Sequence, residues 1–195
     1  FFFHAHPAIP DPLWSRGLGD VYKRQVAHLF KRLAPAVREG MGDLGKLVVT
    51  VALIGSLVIM ISGYQDASGP VWWGRQPFWV SISNVLMLLA FYLMVASSMK
   101  VGITSKVRHP QLTAIKAWSV SHLLVNGDLP SIILFGGLLA WAVVSVILIN
   151  RQDGKGALVA TDTSWVKEAL ASAVTVGLYG AVAHAHAYLG YPVHG

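Results

Sequence analysis

The chain has 195 residues, of which 54% are hydrophobic and 12% are charged, with a formal net charge of +6. An ordinary globular chain has about 25% charged residues, so this composition indicates a membrane protein without a separate soluble core. The basic residues form no patch interleaved with aromatics, so we expect no nucleic-acid partner, and the absence of cysteine excludes disulfides, thiolate metal sites and cysteine nucleophiles.

Residues 1–25 differ in character from the rest of the chain. They have neither the hydrophobic region nor the cleavage site of a signal peptide. Their end, DVYKRQ, resembles a translated transposon-end adapter of the kind used to prepare sequencing libraries. We interpret residues 1–25 as non-native read-through and 26–195 as the native transmembrane domain, lacking the start of its first helix. The alternative is a natural polar N-terminal arm.

Long runs that are nearly free of charge predict the membrane spans. Runs of about 18 or more apolar residues are transmembrane helix candidates. They occur here at 45–63, 78–99, 129–150 and 169–191. Together with the stretch at 108–128, these runs predict an all-α fold. We expect a polytopic transmembrane helix bundle with five visible spans, and about six in the intact protein.

The distribution of Lys and Arg predicts the orientation. Four, three and three basic residues lie in segments 31–46, 100–108 and 151–167, against one, none and none in 64–77, 126–130 and 191–195. This alternation is what the positive-inside rule requires. We therefore expect a multi-pass protein of the bacterial inner membrane, surrounded by the lipid bilayer, with its basic segments in the cytoplasm.

The stretch at 108–128, RHPQLTAIKAWSVSHLLVNGD, carries Lys116 and His122 in its interior. Ionisable side chains inside a membrane segment are costly and usually face the protein interior or a wet cavity. At helical spacing Trp118 and His122 share one face, while Lys116 and Ser119 share another. Two polar faces predict a central helix surrounded by protein or cavity.

Both ends of this stretch carry helix-boundary residues. Pro110 suits a first helical turn and places His109 in the connector before it. Gly127 suits the end of the helix, and Asp128 suits the N-cap of the next one. A functional role for Asn126 and Asp128 stays open beside this structural interpretation. Lys116 could pair with Asp128 or with a lipid phosphate.

Three histidines of the predicted spans could bind a haem or a metal. His122 is either a hydrogen-bonded core residue or an iron ligand. His184 and His186 lie about 200° apart around a helix, so they do not readily grip one metal together. Gly177, Ala181 and His184 form a small-residue seam that favours close helix approach. We expect one of these two histidines to face the bundle at the depth of His122.

The motif RHP, followed by HLLVNGDLPSIILFGG, resembles the signature of the NnrU family, bacterial membrane proteins associated with nitrite and nitric oxide reduction. The second His follows the first by thirteen residues, and VAHLF at 26–30 is similar to the end of the family's first helix. The resemblance marks six signature residues: Arg108, His109, Pro110, Asn126, Gly127 and Asp128. It also implies membrane partners of nitrogen-oxide respiration.

The NnrU family is similar to plant zeta-carotene isomerases, which are haem b membrane proteins. That similarity implies haem b with His28 and His122 as candidate axial ligands. The predicted topology places these two at different depths, whereas His122 with His184 or His186 is compatible in depth. The candidate cofactor ligands are therefore His28, His122 and His186.

An alternative function comes from a second resemblance. RHP is also found in isoprenylcysteine-type membrane methyltransferases, where this segment contributes to binding S-adenosylmethionine. The chain reads RHPQLTA and lacks the Tyr and Gly that usually follow. The alternative is thus a methyltransferase or isomerase acting on a lipid-soluble substrate. No G-x-S-x-G, Walker loop or H-E-x-x-H occurs, and whether the protein is catalytic stays open.

Overall fold

The computed structural model describes residues 42–152 and 164–193, and these are almost entirely helical. The helices are α1 (Gly42–Asp66), α2 (Pro77–Met99), α3 (Pro110–Val125), α4 (Leu129–Gln152) and α5 (Trp165–Tyr188), with a 3-10 turn at Gly102–Ser105. The chain divides into two compact units, residues 1–69 and 70–195. The described part of the first unit is α1 with the residues that follow it, and α2 to α5 form the second.

Three of the described helices are long and apolar enough to cross a membrane. They are α2, α4 and α5, with 23, 24 and 24 residues and mean hydropathies of 2.0, 2.8 and 1.2. At 1.5 Å per residue each is about 35 Å long, which exceeds a hydrocarbon core of about 30 Å. The chain is therefore a membrane protein.

The two other predicted spans are also helical, but they are not among these three. The run at 45–63 lies within the 25-residue helix α1. The central stretch gives α3, which has 16 residues and is about 24 Å long. The all-α prediction is confirmed, three of the five predicted spans meet the length and hydropathy expected of a membrane-crossing helix, and the total number of spans stays a prediction.

Helix α3 occupies the centre of the second unit. It packs against α2 on one side and α4 on the other, and α5 packs against the far side of α2. Within α3 only Gln111 is exposed, and Ala114, Ser119 and Ser121 are buried. The prediction that this helix is surrounded by protein is confirmed for the contacts with α2 and α4.

The α2–α3 interface is built from small residues and paired hydroxyls. Ala114 packs on Ala90 and Leu93 of α2. The Ser83 and Ser121 hydroxyls lie 2.7 Å apart, and each donates to the other residue's carbonyl, at 3.0 and 2.9 Å. Small residues let helix backbones approach closely in lipid, and polar side chains hydrogen-bond across the interface. This pairing fixes the register of α2 against α3.

Glu168, in the first turn of α5, anchors that helix to α2. Its Oε2 accepts a hydrogen bond from the Tyr92 hydroxyl at 3.1 Å, and its Oε1 accepts one from the Gly102 backbone N–H at 2.6 Å. Below these bonds Ala171 packs against Val95 and other residues of the α2 end. The carboxylate thus joins the start of α5 to the connector after α2.

The small-residue face of α5 points away from the other helices of the second unit. A Cβ added at Gly177 or Gly180 would meet nothing within 4 Å, and Ala181 and His184 are exposed. The seam expected to support close helix packing makes no such contact with the described helices of the second unit. The face of α5 that packs on α2 instead contains Ala171 and Thr175, which are buried.

We expect the two ends of the second unit to be accessible from opposite sides of the membrane. Gly74 lies in the exposed loop before α2, and Ser164 is exposed at the start of α5. Because the chain has no cysteine, Gly74→Cys and Ser164→Cys can be labelled singly with a membrane-impermeant maleimide. Labelling of both from the same side of sealed vesicles would contradict the predicted orientation.

Glu168→Gln should destabilise the protein, because the neutral amide gives up a charge-assisted bond to the backbone. Hydrogen bonds to charged groups contribute about 1.5–3 kcal/mol, so we expect a loss of about 1–2 kcal/mol in denaturant titrations in detergent. Lys167→Gln is the matched control: Lys167 is exposed, and such surface changes usually stay within about 0.5 kcal/mol. Equal stability of both variants would remove the anchoring role.

Candidate functional site

His122 lies in an aromatic cluster between α3 and α4. Its ring stacks on Phe135 of α4, with centroids 4.3 Å apart and an interplanar angle of 5°. The Trp118 ring meets His122 edge-on at 5.1 Å and Phe135 at 5.2 Å. Trp118 and His122 are one turn apart on α3, as the helical spacing predicts. Phe135 is 5% exposed, so the cluster belongs to the α3–α4 core.

Stacking leaves the nitrogen-bearing edge of the His122 imidazole uncommitted. Phe135 covers a face of the ring, whereas the lone pair of an imidazole nitrogen lies in the ring plane. Neither ring nitrogen of His122 makes a hydrogen bond to another residue of 42–152 or 164–193. Both interpretations of His122, a hydrogen-bonded core residue and an iron ligand, stay predictions. A neutral imidazole held in this way can act as a ligand or a hydrogen-bonding group.

His186 is the second candidate ligand, on α5. Its Nδ1 donates to the Val182 carbonyl at 2.9 Å, which leaves Nε2 as the unprotonated ring nitrogen. Such a backbone hydrogen bond is the usual device that fixes the tautomer of a metal-binding histidine. His186 is half-buried whereas His184 is exposed, so of the two candidates on α5 it is His186 that faces the bundle.

The turn at 126–128 joins α3 to α4 through capping bonds. The Asn126 side-chain amide and its backbone N–H both donate to the His122 carbonyl, at 3.0 and 2.9 Å. The Asp128 carboxylate accepts from the Ser131 backbone N–H at 2.9 Å and from its hydroxyl at 2.7 Å. The N-cap prediction for Asp128 is confirmed. Neither bond involves Lys116, so the suggested Lys116–Asp128 pair is not formed.

The loop before α2 docks on this turn. Trp72 N–H donates to the Gly127 carbonyl at 2.9 Å, Gly127 N–H to the Trp73 carbonyl at 3.1 Å, and Leu129 N–H to the Pro70 carbonyl at 3.0 Å. Val71 and Asp128 form an isolated antiparallel bridge. The two segments therefore pair like a short piece of sheet between the ends of α2, α3 and α4.

Trp73 completes the docking with its side chain. Its indole N–H donates to the Leu123 carbonyl at 2.9 Å, near the end of α3. The indole ring fills the space that a Cβ at position 127 would need. Gly127 is thus required because a tryptophan ring lies on its backbone. We call Trp72, Trp73, Trp79 and the 126–128 turn the tryptophan end of the unit.

The RHP motif lies at the opposite end, which we call the basic end (residues 100–109 and Arg151). Pro110 opens α3, and His109 is its N-cap residue. The His109 Nε2 donates to the Asn150 side-chain oxygen of α4 at 3.0 Å. Arg108 is half-buried. His109 therefore ties the start of α3 to the end of α4, far from His122 along the helix.

The remaining candidate ligand, His28, lies outside the residues that the structure describes, so the pair His28–His122 stays a prediction. The boundary between the two segments at residue 25 also lies outside these residues and stays a prediction. Among the described residues no group of three His, Cys, Asp or Glu side chains is placed to hold a metal ion. A centre built from His122 and His186 would need a prosthetic group that supplies its other ligands, as a porphyrin does.

Several residues of the site carry no sequence signal of their role. Trp73 is one of several tryptophans in and near the loop before α2, and only the structure shows that its ring docks on Gly127. In the sequence, Phe135 is one apolar residue among many in an apolar run, and nothing indicates its contact with His122. Glu168 lies in a polar segment where a solvated carboxylate is the ordinary expectation. The single carboxylate in the first turn of α5 was the only available hint.

These features define a class: a small helical membrane protein with histidines between its helices and capped, tightly docked turns. The family model described as "NnrU protein" matches residues 25–193. The chain belongs to the NnrU family. No curated protein and no solved structure gives a significant match.

Gly127→Ala should destabilise the tryptophan end, because a methyl group there would displace the Trp73 indole. Overpacking of this kind costs about 1–3 kcal/mol, measured by denaturant titration in detergent with tryptophan fluorescence as the signal. Gly136→Ala is the matched control, because a Cβ there meets nothing within 4 Å and alanine favours the helix by up to about 1 kcal/mol. If Gly127→Ala has the same stability as wild type, the docked loop does not contribute to stability.

Proposed function

We propose that this NnrU-family protein acts in the reduction of nitrite or nitric oxide, in the bacterial inner membrane, and binds haem b. Family membership supports the metabolic setting. The alternation of basic segments supports an inner-membrane orientation with the basic end in the cytoplasm. Haem binding is supported by the residues around His122.

The observation that carries the haem proposal is the set of contacts that orients His122 and His186. The ring of His122 is oriented by its stacking on Phe135 of α4. His186, on α5, presents Nε2 because its Nδ1 is hydrogen-bonded to Val182. These contacts support a ligand role for both imidazoles.

In this proposal each residue has a defined task. His122 and His186 would hold the haem through their ring nitrogens, while Phe135 and Trp118 would orient the His122 ring and keep water from its face. Bound haem would supply one-electron chemistry at iron. The capped 126–128 turn lies one helical turn from His122, and its Asn126 bonds anchor the His122 carbonyl.

The transferase alternative is not favoured by any contact of the RHP motif. His109 donates its Nε2 proton to Asn150, and this bond closes the α3–α4 pair at the basic end. The RHP motif therefore has a structural role in this chain. We propose no second function based on this motif.

His122→Ala and His186→Ala should each lower haem content and abolish the low-spin absorbance, because losing one axial imidazole leaves a five-coordinate or empty site. The measurement is haem per folded full-length protein, with folding checked by size exclusion. His184→Ala is the matched control on the same helix, since His184 is exposed, and it should keep the wild-type spectrum. Membranes of the two ligand variants should also consume nitric oxide more slowly than wild type.

Full haem retention in His122→Ala would remove the ligand role. Loss of haem in His28→Ala, with retention in His186→Ala, would transfer the second ligand to His28. A wild-type protein that takes up no haem yet binds S-adenosylmethionine saturably would replace the proposal by the transferase.

A further inference from the structure

A groove of about 370 Å³ lies at the tryptophan end, on a different face of α3 from His122. Its walls include Trp73, Gln76 and Trp79 on one side and Val120, Leu123 and Leu124 of α3 on the other. It is open along one side, and its lining is mainly apolar. Nothing in the haem proposal uses this groove.

Lys116 lies on the same face of α3 as the groove. It precedes Val120 by four residues and Leu123 by seven, which is the spacing of one helical stripe. It is half-buried, and its ammonium group makes no ion pair or hydrogen bond with the described part of the chain. A lysine at membrane depth without a partner is costly, so such a residue is expected to have one.

The depth of Lys116 indicates where that partner lies. The residue is six positions from Pro110, about 9 Å along the helix, and side chains on a helix tilt toward its N-terminus. The ammonium group can therefore extend to the headgroup region at the basic end while its alkyl stem lies along α3. From Pro110 at the basic end to Leu124 the helix measures about 21 Å, more than one leaflet's hydrocarbon of about 15 Å, so an acyl chain that reaches the groove crosses the midplane of the bilayer.

We propose that this face of α3 is a binding site for one anionic phospholipid of the leaflet at the basic end. The lipid phosphate pairs with Lys116. One acyl chain runs along Val120 and Leu124 and ends in the groove between Trp73 and Trp79. The charge of the phosphate matches the unpaired ammonium group, and the apolar stripe matches the chain. A free phosphate ion would satisfy Lys116 but would leave the groove unfilled.

Lys116→Gln should weaken binding of phosphatidylglycerol and leave binding of phosphatidylcholine unchanged. One basic residue near an anionic lipid surface corresponds to about a fivefold change in affinity. The measurement is native mass spectrometry of the full chain released from detergent with each lipid added. Lys116→Arg should keep the preference for phosphatidylglycerol. Lys106→Gln is the charge-matched control, because Lys106 is exposed in the connector.

A second variant tests the groove independently of charge. Val120→Trp fills the space beside Leu124 and should lower the retention of both lipids. Lys116→Met removes the charge at similar volume, so it provides the same test if Lys116→Gln folds poorly. None of these readouts involves haem, so their failure and that of the haem proposal are distinguishable.

Three outcomes would overturn the lipid site. The first is equal retention of both lipids by wild type. The second is unchanged phosphatidylglycerol retention in Lys116→Gln. The third is a wild-type dimer that Val120→Trp abolishes, which would assign the groove to a second copy of the chain.

Discussion

The docking of residues 70–73 on the 126–128 turn is the interaction on which the second unit depends. Its three backbone hydrogen bonds and the Trp73 indole bond bring together the start of α2, the end of α3 and the start of α4. In lipid, backbone groups outside helices must find partners within the protein. The pairing meets that requirement at a point where three helices would otherwise present unpaired groups. The position of His122, one turn away, follows from it.

Sequence patterns predicted the helices because apolar runs and helical spacing are local properties. The N-cap at Asp128 was predictable for the same reason, since side-chain length and position decide it. Contacts between distant segments were not predictable. The fit of Gly127 to Trp73 depends on how two loops meet in space, and the bond from Glu168 to Gly102 depends on where α5 begins relative to α2.

For the candidate site as well, local features were predictable from the sequence, whereas features decided by tertiary packing were not. Sequence alone singled out His122, because an ionisable residue in a membrane helix requires an explanation. It placed His184 and His186 on opposite sides of one helix but could not say which side faced the bundle. Tertiary packing decides this, since α5 buries Ala171 and Thr175 against α2 and so turns His186 inward. The haem itself came from the resemblance, and binding by His122 and His186 stays a proposal.

The short length of α3 has a consequence for the surrounding bilayer. Its 16 residues leave it about 6 Å shorter than the hydrocarbon thickness, while its neighbours exceed that thickness. Either the membrane thins beside α3 or the connector with Arg108 and His109 dips below the headgroups. Both adjustments bring water deeper on the basic side than a full-length helix would allow. We therefore expect a local hydrated indentation of the membrane beside α3, which would shorten the path of small solutes and protons to the interior of the bundle.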